Sequence, residues 1–334
     1  MCSRKAAPSQ CRWMTCSKPA NNMVISALLF LCLGIVGAYV AFMRDLTAAR
    51  TRLAGRTMMM DTSFGALEYA TVGNGEPILI IHGAGGGFDQ GIDMAGAMTE
   101  HEYQIIVPSR FGYLRSASPH FLTTAMQADA YIQLLDNLAI DNVTVVAISA
   151  GAWSALQFAI RHPKRCRALV LLVPADYLPA GTSIRGGVIA GAMFDSDFAA
   201  WATLKLLPIL PGVMTEAVLG TDAAVVRTAE RDEQARARQI MEHLLPMRDR
   251  IEGMRFDIKT AATHEPYPIE NISCPVLAIS AEDDRFGTAS RARHIAAGVP
   301  EGRAVIYRTG GHALIGHLAD TLREMMAFLQ ANPE

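Results

Sequence analysis

The stretch Val143-Thr144-Val145-Val146-Ala147-Ile148-Ser149-Ala150-Gly151 constrains this chain most. A β-branched apolar run stops at a serine, and a helical pattern follows at once through Ala152-Trp153-Ser154-Ala155-Leu156. A strand that enters a helix through one serine needs a very tight turn, with small residues two before and two after it. Ala147 and Gly151 hold those positions, with alanine where a G-x-S-x-G turn carries its first glycine. The window admits two readings, an activated serine on a strained turn or a serine that merely caps a buried helix.

The surrounding chain alternates strands and helices. Pro77–Ile81, Tyr103–Val107, Val143–Ile148, Ala168–Val173, Pro275–Ser280 and Ala304–Tyr307 are short and almost wholly apolar, as strands covered on both faces are. Helical periodicity separates them at Thr123–Leu138, Ser290–Ala297 and Leu318–Leu329. The spacing predicts an α/β fold, with a mostly parallel sheet and helices on both faces. Leu67–Val72 alternates like an antiparallel strand ahead of it. Strand signals vanish over 175–270, which is expected to be an all-helical cap inserted between the two parts of the core, 61–174 and 271–334.

The N-terminal region has three parts. Residues 1–22 form a polar tail whose charges, Arg4, Lys5, Arg12 and Lys18, are all basic. Met23–Met43 carries no charge and, at 1.5 Å per residue, reaches roughly 30 Å, enough to cross a bilayer. A single-pass membrane anchor is expected over a cleaved signal, whose apolar core is about 7–15 residues. Basic residues on both flanks leave its orientation open. Residues 44–60 are expected to be a linker.

Composition narrows the chemistry. The formal net charge is −2 and no basic stripe runs along any element, so no nucleic-acid partner is expected. The six cysteines form no C-x-x-C pair and stand near no metal-spaced histidines. No metal site and no cofactor are implied. Cys166 and Cys274 each precede strands expected to be parallel neighbours, and are expected to be free thiols.

Three further stretches carry chemistry. His82-Gly83-Ala84-Gly85-Gly86-Gly87 follows a strand directly, and its glycines let backbone N–H groups approach an anion. It lacks the G-K-[ST] of a phosphate loop. Glu282-Asp283-Asp284 ends another strand, at the edge where parallel sheets bind ligands. Gly310-Gly311-His312 follows the last strand. The resulting order is serine, acid, histidine.

On these motifs, together with Ser109–Ser116 after the fourth strand, the chain from about Met60 to Leu329 resembles the α/β-hydrolase fold family, in the group with a helical cap. Leu114 departs from the glycine common at its place in that family. The resemblance implies Ser149 as nucleophile and His312 as general base. It implies Asp284 as the acid, three residues after Ala281, with Asp283 as the fallback. The backbone N–H groups of Ala84 and Ala150 would form the oxyanion hole. His317 is expected to pack rather than react. The implied substrate is a small apolar ester, lactone, amide or carbon–carbon compound. The alternative is a non-catalytic ligand-binding or regulatory protein on the same fold. Phe194, Phe198, Trp201, Met214, Met241 and Met247 of the cap are candidates for a pocket or for plain core. Arg227, Arg231, Arg236 and Arg238, interleaved with acids, predict a solvated helix face.

Overall fold

The computed structural model describes residues 19–96, 103–177, 196–206, 211–263 and 265–332. The polar tail before residue 19 lies outside them, as does Phe194, and the side chain of Met214 is likewise not described. Helix α1 spans Pro19–Leu53 and carries the boundary between two compact units, Met1–Asp45 and Leu46–Glu334. Within the first unit, α1 exposes apolar side chains such as Leu28, Phe30 and Ile35. It is long and apolar enough to cross a membrane.

The linker expected at 44–60 is largely absent. Residues 44–53 contain no Gly or Pro and are rich in good helix formers, so the helix continues to Leu53 despite the change to charged residues. It stops near Gly55, whose φ is 72°. Strand β1 then begins at Met58, leaving only a short turn between them.

The second unit is built on one eight-stranded sheet. Its strands are β1 (Met58–Thr62), β2 (Gly65–Val72), β3 (Glu76–Ile81), β4 (Tyr103–Pro108), β5 (Val143–Ile148), β6 (Cys166–Leu172), β7 (Val276–Ala281) and β8 (Gly302–Tyr307). Their order is β1-β2-β4-β3-β5-β6-β7-β8. β1 and β2 pair antiparallel, β2 pairs antiparallel with β4, and the rest are parallel.

Both faces of the sheet are covered, which is why its central strands read as unbroken apolar runs. In β3, Leu79 and Ile81 point to one side, where α3 (Thr124–Asn137) and α4 (Gly151–Arg161) pack with Tyr131, Leu134, Leu156 and Phe158. Ile78 and Ile80 point to the other, where α2 (Phe88–Ala95) and α11 (Leu318–Ala331) contribute Phe88, Met325 and Phe328. The remaining core helix, α10, spans Thr288–Gly298 and joins the first layer through Ala292 and Ile295. Each fully buried side chain of this size contributes about 1.5–3 kcal/mol.

Between β6 and β7 the described residues form helices and no strand: α5 (Asp197–Lys205), α6 (Pro211–Leu219), α7 (Ala223–Thr228), α8 (Arg231–Glu242), α9 (Ile251–Thr263) and a short 3-10 turn at Ile269–Asn271. The chain first builds the sheet toward β4, then crosses back and continues from β5. The reversal leaves a crevice at the C-terminal ends of β3 and β5, the usual place for a ligand in a parallel sheet.

Candidate active site

Ser149 sits at that crevice, between β5 and α4. Its φ is 48°, a left-handed backbone that costs a non-glycine residue about 1–3 kcal/mol. The neighbouring strand holds it there. Ser149 N–H donates to the carbonyl of Leu172 (2.9 Å), and the Ser149 carbonyl accepts from Ala152 N–H (2.9 Å) and Ala175 N–H (3.0 Å). Gly151 permits the close approach of α4 to β3, because a Cβ there would lie 2.6 Å from the Ile81 carbonyl oxygen and 2.7 Å from that of His82. Ala147 is fully buried, so the sheet accommodates its methyl where glycine is usual.

His312 meets the serine from the opposite side. Its Nε2 lies 2.9 Å from Ser149 Oγ, and its Nδ1 lies 2.8 Å from Asp284 Oδ2. The consistent assignment has Nδ1–H donating to the carboxylate and Nε2 accepting from the serine hydroxyl. The Phe286 ring meets the imidazole edge-on, at 4.8 Å between centroids. Asp284 follows the end of β7 and is buried. Burial raises its carboxyl, but the nearby His312 and hydrogen bonds from His312, Thr288 and Phe286 N–H outweigh that and hold it below the ordinary value. Thr288 in turn contacts Ser280, 2.7 Å between hydroxyl oxygens. Asp283 faces elsewhere and accepts from Gly311 N–H (2.8 Å) and Gly310 N–H (3.2 Å).

The glycine-rich loop closes the site beside the serine. A Cβ on Gly83 would lie 3.2 Å from both Ser149 Cβ and the Ile148 carbonyl oxygen, so the loop backs directly onto the elbow. Ala84 is exposed at its tip, and Ala150 is buried at the start of α4. There the helix N-terminus favours negative charge. His82 is not available for chemistry. Burial and the charge of Arg110 push its pKa well below the usual value, so it is neutral. Its Nδ1 donates to the Gly83 carbonyl (2.8 Å), and its Nε2 accepts from Arg110 N–H (2.9 Å).

Several supporting groups carried no signal in the sequence. Gln90 Oε1 accepts from Gly83 N–H at 2.7 Å. Arg250, fully buried, donates to the Gly86 carbonyl (2.5 Å) and pairs with Asp89 at 2.8 Å. Arg110 pairs with Asp257 of α9 at 2.6 Å, deep in the protein. All are single polar residues in ordinary helical or loop runs; the partners of Arg250 and Arg110 lie far away along the chain, whereas Gln90 bonds only seven residues back. Leu114, at the departure from the family's glycine, adopts φ 52° and packs over Gly87.

One expectation changes. Arg236 is not on a solvated face. Its guanidinium pairs with Glu233 (2.7 Å) and reaches the Ala313 carbonyl (2.9 Å), because the loop after β8 folds over α8. Arg227, Arg231 and Arg238 are exposed, as expected. Of the candidate pocket residues, Trp201, Met241 and Met247 are buried core and Phe198 is half exposed. His317 stacks on Tyr307 at 4.2 Å, a packing role. Among the described residues no cluster of three or more His, Cys, Asp or Glu side chains is arranged to hold a metal ion.

A sequence model of the alpha/beta hydrolase fold matches residues 76–316. The chain belongs to the α/β-hydrolase fold family. It is an α/β-hydrolase-type enzyme. It is 29% identical over 279 residues to an uncharacterized hydrolase, YcgS, of Bacillus subtilis (strain 168), covering 80% of this chain and 96% of that one. A shorter stretch of 105 residues is 33% identical to a 2-hydroxy-6-oxo-2,4-heptadienoate hydrolase of Pseudomonas putida, covering 30% of this chain and 38% of the relative. Among solved structures, an alpha/beta hydrolase fold protein from Nakamurella multipartita superposes with a TM-score of 0.67 at 22% identity, over 83% of this chain and 100% of the other.

Proposed function

We propose that this α/β hydrolase is a serine hydrolase in which Ser149 is the nucleophile. His312 is its general base and Asp284 orients the imidazole. The reading rests on one observation: Ser149 Oγ, on a backbone at φ 48°, lies 2.9 Å from a His312 whose other ring nitrogen lies 2.8 Å from a buried carboxylate. As Ser149 Oγ attacks an acyl carbon, His312 Nε2 takes its proton, and Asp284 stabilises the imidazolium. The N–H groups of Ala84 and Ala150 receive the oxyanion, each donor being worth about 3 kcal/mol of barrier. His312 then protonates the leaving group and later draws a proton from water, which releases the acyl group.

The substrate class is a small ester, lactone, amide or activated carbon–carbon compound. The name of the Pseudomonas relative, a dienoate hydrolase, supports including the last. The insertion over 175–270, helical over most of its described residues, acts as the cap above the site. The Met23–Met43 segment of α1 serves as a single-pass anchor, so the enzyme works as a membrane-attached protein. Carbonate extraction of membranes from cells making the full chain tests the anchor, which predicts retention in the pellet.

A fluorophosphonate probe tests the site. It is expected to label the protein once, on Ser149. Ser149→Ala abolishes labelling with the fold intact, and His312→Ala suppresses it nearly as fully. A panel of p-nitrophenyl esters of graded acyl length, run beside a 2-hydroxy-6-oxo-dienoate, then reports the substrate class. Unimpaired hydrolysis by pure Ser149→Ala protein would refute the proposal.

A further inference from the structure

We infer that Glu233 and Arg236, on helix α8 of the insertion, are positioning residues for His312, coupling the helical insertion to the chemistry. The inference rests on the proposed role of His312 as the base for Ser149.

The loop that carries His312 runs from the end of β8 at Tyr307 to the start of α11 at Leu318. It contains four residues with positive φ: Gly310 (129°), Gly311 (58°), Leu314 (49°) and Gly316 (82°). Leu314 pays the penalty of a left-handed backbone without the freedom of glycine. Such a loop has no regular ladder to hold it. Its own bonds are three turns, Leu314 N–H to the Gly311 carbonyl (3.2 Å), Ile315 N–H to that of Gly310 (2.9 Å) and His317 N–H to that of Leu314 (3.1 Å).

The pair on α8 grips this loop from outside. One nitrogen of Arg236, Nη2, donates to the carbonyls of Ala313 (2.9 Å) and Leu314 (3.2 Å), the two residues after His312. Glu233 Oε2 accepts from Gly316 N–H at 2.9 Å and from Arg236 at 2.7 Å. The four contacts form a closed set, in which carboxylate and guanidinium orient each other and together satisfy one N–H and two carbonyls of the loop. The side chains are only 16% and 23% exposed, so water and salt screen them less than an open surface pair. Thr221, from the turn before α7, adds a weaker contact to Ala313 N–H at 3.3 Å. Asp283 holds the other end of the loop through Gly310 and Gly311. His312 is thus fixed on its N-terminal side by the core and on its C-terminal side by the insertion.

The spacing of Nε2 to Ser149 Oγ leaves little room, since a misplacement of about 1 Å can reduce a rate 100-fold. Releasing the C-terminal grip lets His312 leave the serine while Asp284, Ser149 and the oxyanion groups stay in place.

The test uses the full chain in detergent, with Arg236→Ala, Arg236→Lys, Glu233→Gln and, as a control from the exposed side of the same helix, Arg238→Ala. Two quantities are read from fluorophosphonate labelling: the second-order rate constant and the fraction labelled at the end. Arg236→Ala is expected to lower the rate constant about 10–100-fold with the end point unchanged. Arg236→Lys, which keeps a charged donor but loses the planar fork, recovers part of that loss. Glu233→Gln falls between wild type and Arg236→Ala. Arg238→Ala stays within about twofold of wild type. For a small ester, kcat falls and KM holds. An Arg236→Ala rate constant within about threefold of wild type overturns the inference. So does a reduced end point with an unchanged rate constant, which would make the pair a stabilising contact only. The two failures separate cleanly: if His312→Ala labels as fast as wild type, the underlying reading of His312 is wrong.

Discussion

Asp283 and Asp284 divide one histidine loop between them: Asp284 takes the His312 ring at 2.8 Å, and Asp283 takes the backbone N–H of Gly311, also at 2.8 Å. Adjacent residues can do this because the turn after β7 sends their side chains in different directions. Asp284→Asn is expected to lower kcat by a factor on the order of 10⁴, by offering His312 the wrong partner for its N–H. Asp283→Asn still presents an oxygen to one N–H and is expected to cost about tenfold or less. The measurement is turnover of one small ester by both variants. The reverse order would move the acid by one residue.

Asp89 lies between two arginines, Arg250 at 2.8 Å and Arg52 at 2.5 Å. Burial raises its carboxyl, but both guanidinium groups outweigh that and hold its pKa well below the ordinary value. A depressed carboxyl adds stability that is complete above the unfolded value of about 3.9 and is lost as pH falls below it toward the folded value. Asp89→Asn is therefore expected to cost about 3–5 kcal/mol at pH 7, since it leaves buried arginine charge unpaired. At pH 3 the deficit should shrink by about 1 kcal/mol. Urea unfolding at pH 7, 5 and 3 checks both the size and the sign. A deficit that grows on acidification would contradict the assignment.

The end of α1 belongs to the second compact unit, which begins at Leu46. Leu46 is buried, Leu53 packs on the core, and Arg52 bonds both Asp89 and the Leu245 carbonyl. A soluble chain starting at Leu46 should retain full stability. One starting at Thr57 loses all of these contacts and is expected to be less stable by at least about 2 kcal/mol. Comparing their urea midpoints decides between them.

Cys166 and Cys274 lie at the start of β6 and just before β7, buried, with sulfur atoms 3.6 Å apart and unbonded. Iodoacetamide is expected to leave both untouched in the native protein and to modify both after unfolding without reductant. A linked peptide in the unreduced digest would show instead that the pair oxidises where the enzyme resides.

Hydrophobic pattern alone determined much of this protein. Runs such as Ile78–Ile81 and Val143–Ile148 are apolar at every position because both sheet faces are covered, so their number and order prescribe a parallel sheet with helices on either side. The serine turn was equally legible, since a strand that meets a helix at Ser149 leaves few backbone solutions and demands small neighbours. Strand β1 and the uninterrupted helix through 44–53 were not, and the preference for Asp284 over Asp283 came from the family resemblance rather than from the pattern. A charged stretch after an apolar span reads as a linker, yet nothing in its local chemistry breaks a helix. Two adjacent aspartates are identical by pattern, and only the turn decides which one reaches the histidine. Arg236 marks the limit most clearly. On a helical wheel it is one more charge among charges, and it gains two carbonyl partners only because residues 313–314 fold over α8. Burial along a strand or helix is set by neighbours a few residues away, whereas a polar group's partners are set by chain segments up to 193 residues distant, as for Arg52 and Leu245. Those long-range pairs exist only once the tertiary structure has formed.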